Sequence, residues 1–145
     1  MTVHALLIIS KAGGLVYNKD YGTGNLAKLS VNEYLVLAGT LHGVHAITAQ
    51  INPTMAATPI GSGGMDLVES DSLRIYCHQT LTGSKIIIFA DTLSPVSTLD
   101  AVCRKIFEVY CDYAMKNPFY TPEMPIRADL FDMNMNQLIR AINAA

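Results

Sequence analysis

His42 and His45 stand three residues apart, a spacing that turns two imidazoles toward one face of a helix. Zinc takes three or four protein ligands, and no third ligand accompanies this pair. Core or interface histidines are the reading that remains. Cys77 and His78 are neighbours in a β-rich segment, so their side chains point to opposite faces. They cannot form the thiolate–imidazole pair of a nucleophilic site. Cys103 and Cys111 lie on a predicted helix and read as small core residues. Glu69 and Asp71 bring two carboxyl groups together at a strand end, as acid–base chemistry requires, but the setting is that of a solvated turn.

Gly22-Thr23-Gly24-Asn25-Leu26-Ala27 fits the loose dinucleotide-binding pattern. The predicted helix begins several residues later, so no helix N-terminus meets a phosphate there. No acidic residue stands about 20 positions on to hold a ribose, and the strands that follow form hairpins. Ser62, among Gly61, Gly63 and Gly64, is not the serine of a nucleophile elbow. The residues therefore predict no catalytic, cofactor-binding or metal-binding set and no cofactor.

The elements that carry these residues follow from hydrophobic period and turn chemistry. Residues 3–10 are β-rich and apolar at consecutive positions, which predicts a strand covered on both faces. Lys11-Ala12-Gly13-Gly14 is a turn, and residues 15–18 return as the second strand of a hairpin. Residues 19–30 read as a loop. Ser30 with Glu33 makes a capping box for a helix over residues 31–50. That helix is apolar over a wider arc than one buried stripe needs, which predicts a second covered face. Gly39 and Gly43 within it either allow another backbone to approach closely or merely weaken the helix.

Residues 52–64 form a loop, and residues 65–70, 73–81 and 85–90 form three strands. In the middle one, Leu73, Ile75, Cys77, Gln79 and Leu81 share one face, and Arg74, Tyr76, His78 and Thr80 the other. Ser97 with Asp100 signals the start of a helix that runs to Asn117, where Pro118 stops it. Its apolar stripe is Leu99, Val102, Cys103, Ile106, Tyr110 and Tyr113, with Asp100, Arg104 and Glu108 opposite. A last helix over residues 129–144 presents Leu130, Phe131, Met135, Leu138, Ile139 and Ile142. The order β-β-α-β-β-β-α-α, with no helices between the later strands, predicts an antiparallel α+β layer domain over residues 1–145.

Charged residues are 15% and hydrophobic residues 50% of the chain. A typical domain carries about 25% charged residues. A domain this small has limited interior, so the surplus predicts apolar surface for partners. The net charge of -2 and the absence of a basic tract exclude a phosphate-neutralising face for nucleic acid. The longest apolar runs, residues 5–9 and 86–90, are far short of the ~20 residues that cross a bilayer. The first ten residues lack a signal-peptide pattern. Three cysteines without a C-x-x-C predict a reduced, cytoplasmic setting.

Residues 116–127 hold three of the six prolines and follow the most regular helix. Proline fixes φ and restricts the residue before it, so this connector is stiff. It carries Phe119, Tyr120, Met124, Ile126 and Arg127, residue types met at interface cores and hot spots. Two readings follow: a brace packed onto the chain's own core, or, for part of it, a shaped surface on which these residues bind a partner.

Three blocks of the sequence resemble the synbindin (sybindin-like) family, the subunit 4 family of the TRAPP tethering complex. They are Ile8-Ile9-Ser10-Lys11-Ala12-Gly13-Gly14-Leu15-Val16-Tyr17, Cys77-His78-Gln79-Thr80-Leu81-Thr82-Gly83-Ser84-Lys85, and Lys116-Asn117-Pro118-Phe119-Tyr120 with Glu123-Met124-Pro125-Ile126-Arg127. The resemblance implies a longin-like fold: a five-stranded antiparallel sheet with one helix on one face and two on the other. It implies a subunit without catalysis of its own, peripheral to endoplasmic reticulum and Golgi membranes. Its partners would be other TRAPP subunits, longin-like and helical, and an early-secretory Rab GTPase whose nucleotide exchange the complex catalyses. Other longin-type modules, a TRAPP subunit 1-like chain or an adaptor small chain, share the fold. Animal and many fungal members carry a PDZ-like insertion after the first hairpin; here residues 19–30 stand in its place, so functions of that insertion do not transfer. Within this picture Tyr34, Leu35, Ala38 and Leu41 of the first helix, with Met65 and Leu67 of an edge strand, are predicted to pair with a second longin-like subunit.

Overall fold

The computed structural model describes residues 2–21, 29–51 and 64–144. Five strands form one antiparallel sheet: β1 (Val3–Ile9), β2 (Leu15–Asp20), β3 (Leu67–Glu69), β4 (Arg74–Gln79) and β5 (Lys85–Ala90). Their order across the sheet is β2-β1-β5-β4-β3. Helix α1 (Val31–Ile51) covers one face, and α2 (Val96–Tyr110) with α3 (Asp129–Ala144) covers the other. This is the α+β longin-like arrangement.

Helices on both faces explain why β1 and β5 read as continuous apolar runs. Leu6 and Ile8 of β1 and Ile86 and Ile88 of β5 enter the core under α2 and α3. Ala5, Leu7, Ile9, Ile87 and Phe89 enter the core under α1. In β4, Tyr76 joins the first core and Cys77 the second, as alternation requires.

Both hairpin turns use the same device. Gly13 donates to the Ser10 carbonyl at 3.0 Å, and Gly83 donates to the Thr80 carbonyl at 3.0 Å. Their φ angles are 93° and 92°, a left-handed region where a side chain is strained. On β2, Ile8 faces Tyr17 and Ile9 faces Leu15, so Val16 is the extra residue of a bulge. Val16 and Tyr17 are both buried under α2 and α3. The Val16 carbonyl accepts a hydrogen bond from Ile126 at 2.7 Å. The connector thus covers the β2 edge of the sheet, while β3 is the strand at the opposite edge.

The structure departs from the sequence reading at several boundaries. β2 continues to Asp20, because Lys19 and Asp20 pair with Leu6 and Ala5. β3 is three residues long where six were expected: Leu67, Val68 and Glu69 stand in register with Tyr76, Ile75 and Arg74 of β4. Helix α2 starts at Val96 with Pro95 at its N-cap, and no side chain caps it. Asp100 accepts from the Tyr76 hydroxyl and pairs with Arg104, and so does not close a box on Ser97. The helix does not run regularly to Asn117: residues Cys111–Met115 widen into a π turn, closed by Lys116 donating to the Cys111 carbonyl. Leu130 projects outward from α3, beside a buried Phe131. A Cβ on Gly39 or Gly43 would meet nothing within 4 Å, so neither glycine receives a neighbouring backbone among the described residues. The Ser30–Glu33 box is present: Ser30 donates to the Glu33 carboxylate at 2.7 Å, and Glu33 donates to the Ser30 hydroxyl at 3.3 Å.

Candidate functional site

The residues that could do chemistry are tied into the fold. Cys77 and His78 point to opposite faces of β4, and burial pushes the Cys77 thiol up to about 11. It is not a thiolate near neutral pH. Burial likewise raises the Cys103 thiol well above its ordinary value. Glu69 pairs with Arg74 across the β3–β4 ladder, which takes it out of any carboxylate dyad with Asp71. His78 lies 3.4 Å from Asp100, on the carboxylate that also accepts from Tyr76 at 3.1 Å and pairs with Arg104 at 3.0 Å. This cluster ties α2 to β4 and includes no nucleophile.

His42 and His45 face the sheet. The Nδ1 atom of His42 is 3.2 Å from the Lys85 ammonium, and its ring lies over Gly13. His45 lies against Gly64, where a Cβ would stand 2.4 Å from the ring. Burial and the Lys85 charge hold both imidazoles below their ordinary value. Burial also lowers Lys85, which is 4% exposed. Among the described residues no group of three or more His, Cys, Asp or Glu could hold a metal ion. No helix of the described residues is long and apolar enough to cross a membrane. The Gly22–Ala27 pattern and Ser62 lie outside the described residues.

What remains is surface. The outer face of α1 carries Val31, Leu35, Val36, Val44, Ile47 and Ile51, all exposed. A helix that is apolar all round is stable in water only when its second face is covered. Beside its first half an apolar groove of about 280 Å³ opens between α1 and the sheet, lined by Tyr34, Leu37, Leu73, Ile75 and Phe89 among others.

The structure divides the residues predicted to pair with a second subunit. Leu35 is half exposed on the outer face. Tyr34, Ala38 and Leu41 are buried against the chain's own sheet and leave the candidate surface; Ala38 is 1% exposed. The reason is helical phase: these three sit on the same side as His45, toward the sheet. Val36, Val44, Ile47 and Ile51 take their place. Their apolar character was visible in the sequence, but which arc faced the sheet was not. Met65 and Leu67 are partly buried and pack on the α1-side core and the α2–α3 core respectively.

The connector is divided in the same way. Ile126 is buried and bonded to β2, and so belongs to the core. Met124 and Arg127 are exposed. Tyr120 packs on the α2–α3 core and donates its hydroxyl to the Met124 carbonyl at 2.8 Å. Glu123 has φ 69°, in a turn where Met124 donates to the Thr121 carbonyl. Phe119 is 94% exposed. Between the π turn and α3 lies an open groove of about 440 Å³, lined by Asp112, Tyr113, Lys116, Asn117, Ala128, Asp129 and Leu130. Leu130 and Met133 extend the exposed apolar surface along α3.

Residues 3–142 match the model of the Sybindin-like family. The chain is 39% identical over 139 residues to trafficking protein particle complex subunit 4 of Dictyostelium discoideum, covering 96% of this chain and 97% of that one. It is 41% identical over 118 residues to the subunit 4 of Homo sapiens, covering 81% of this chain but 51% of the human protein. Among solved structures, a Roadblock/LC7 domain from Streptomyces avermitilis superposes with a TM-score of 0.61 at 12% identity, covering 80% of this chain and 88% of that one. That last likeness is one of fold.

Proposed function

The chain belongs to the Sybindin-like family, and from that premise we propose that it serves as a non-catalytic subunit of a trafficking protein particle (TRAPP) complex. In this reading it docks to sister subunits and helps form the composite surface that exchanges nucleotide on an early-secretory Rab GTPase, at endoplasmic reticulum and Golgi membranes. The observation that carries the docking half is the uncovered outer face of α1 on a sheet whose other edge, β2, is already covered by the connector. An open strand edge invites strand addition, and β3 is the strand in that position. A second sheet domain laid against β3 and α1 would cover Leu35, Val36, Val44 and Ile47 together. The relatives bear names of complex subunits, which agrees with a surface built for docking.

Exchange itself needs no acid or base from this chain. A partner speeds nucleotide release by binding the empty GTPase better than the loaded one. A stiff surface serves this, because less ordering is lost on binding. Tyr120, Met124 and Arg127 on the proline-braced connector are the residues we assign to that surface.

The test has two arms. Co-expression with sister subunits should yield a complex with the native chain and none with Val36→Asp plus Ile47→Asp, both at exposed positions. A complex that assembles normally around the double variant sinks the docking surface. Complexes carrying Tyr120→Ala or Arg127→Ala, once shown to assemble, should exchange nucleotide more slowly; unchanged rates for both would refute the exchange surface.

A further inference from the structure

Beyond the π turn the chain makes a tight, self-supported turn at Asn117-Pro118-Phe119-Tyr120. Tyr120 donates its backbone N–H to the Asn117 carbonyl at 3.2 Å, which closes the four-residue turn. Phe119 donates its backbone N–H to the Asn117 side-chain oxygen at 3.0 Å. Asparagine thus mimics a backbone acceptor and locks the turn from within. Pro118 sits at the second position, where its fixed φ suits the geometry. The turn is anchored at both ends: Asn117 donates to the Ala114 carbonyl, and the Tyr120 hydroxyl reaches the Met124 carbonyl.

This frame holds the Phe119 ring out into solvent, 94% exposed. The Asn117 amide nitrogen makes no hydrogen bond among the described residues, so it has donors to offer beside the ring. A phenyl ring on a rigid turn has no role in the chain's own core. The structure assigns the Asn117-Pro118-Phe119 turn as a preformed ligand for a partner protein domain. That partner has an apolar socket for the Phe119 ring and an oxygen acceptor at the rim for the Asn117 amide. Preorganisation keeps the ordering cost low, and the small contact keeps affinity modest. The ring is not read as a membrane anchor: the adjacent cation, Lys116, pairs with Asp112 at 3.0 Å and shares its groove with a second carboxylate, Asp129, which leaves the groove net acidic. An anchor for anionic lipid relies on free basic charge beside the aromatic ring. This assignment rests on the turn alone and stands whether or not the connector contacts a GTPase.

The test uses the full chain, in complex with its sister subunits, and as probe a purified domain that binds free Asn-Pro-Phe peptides. Titration followed by calorimetry should give saturable binding that an Asn-Pro-Phe peptide displaces. Phe119→Ala should weaken it at least tenfold. Asn117→Asp, which keeps the acceptor that locks the turn but removes the amide donors, should weaken it severalfold. Met133→Ala, exposed on α3, should leave it unchanged. The assignment is overturned if the probe binds free peptide but ignores the complex, or if Phe119→Ala binds as well as the native chain. It is equally overturned if Phe119→Ala abolishes assembly, which would make the ring's socket a sister subunit, or if it chiefly removes binding to anionic vesicles.

Discussion

The ammonium of Lys85 lies 3.2 Å from Nδ1 of His42, beneath α1. A lysine 4% exposed at the end of a central strand is thereby satisfied by a neutral imidazole. The pair joins α1 to β5, and burial together with the Lys85 charge disfavours a proton on His42. It also gives this fold a definite response to acid.

Burial and the Lys85 charge depress both His42 and His45. The folded chain therefore resists protons that the unfolded chain accepts near pH 6.5. Stability is fully present above that pH and falls as pH drops through it. Asp66 opposes this at His45, but more weakly than burial and Lys85 act. Asp91, held below its ordinary carboxyl value by His4 and Thr2 although burial opposes them, loses its contribution only below about 3.8. Denaturation at pH 7.5 and 5.5 should show a loss at the lower pH. His42→Gln, whose amide oxygen still accepts from Lys85, should make that loss smaller. An equal loss in wild type and variant would contradict the assignment.

Gly13→Ala and Gly83→Ala separate backbone strain from crowding. Both positions have positive φ, which costs a non-glycine residue roughly 1–2 kcal/mol. At Gly13 the new Cβ would also lie 2.7 Å from the His42 ring; at Gly83 it would meet only the Lys11 stem, at 3.0 Å. Gly13→Ala should be the costlier by about 1 kcal/mol or more. A double-mutant cycle with His42→Ala should remove the excess.

Neighbouring residues on α3 should behave oppositely. Phe131 is fully buried, edge-on to Tyr17 with ring centres 4.9 Å apart. Phe131→Ala should cost about 3–5 kcal/mol. Leu130→Ala, at an exposed position, should stay within about 0.5 kcal/mol of wild type. Thermal melts of both variants decide this, and a large effect at Leu130 would mean that the ring of contacts around α3 is wrongly drawn.

The Ser30–Glu33 box is the side-chain device that starts α1. Ser30→Ala should destabilise by about 1 kcal/mol, while Ser30→Asp should retain most of the stability. Chemical denaturation of the two variants provides the comparison.

Much of this molecule is legible along the chain. Consecutive apolar residues in β1 and β5 announce strands covered on both faces, because a strand alternates its side chains and each side must find a cover. The glycines at the two hairpin turns, the Ser30–Glu33 box and the prolines of the connector act locally, through φ and one or two hydrogen bonds. Their effects can be read without knowing what lies across the fold. Tertiary structure alone decides the allocation of apolar residues between core and surface. On α1, apolar all round, nothing local tells Ala38 from Val36; contact with β1 and β5 buries the first and leaves the second exposed. On the connector, the hydrogen bond from Ile126 to the bulged Val16 draws one side chain inward. The turn locked by Asn117 holds Phe119 out. Period and propensity describe a residue's neighbours in sequence, whereas exposure is set by residues far along the chain.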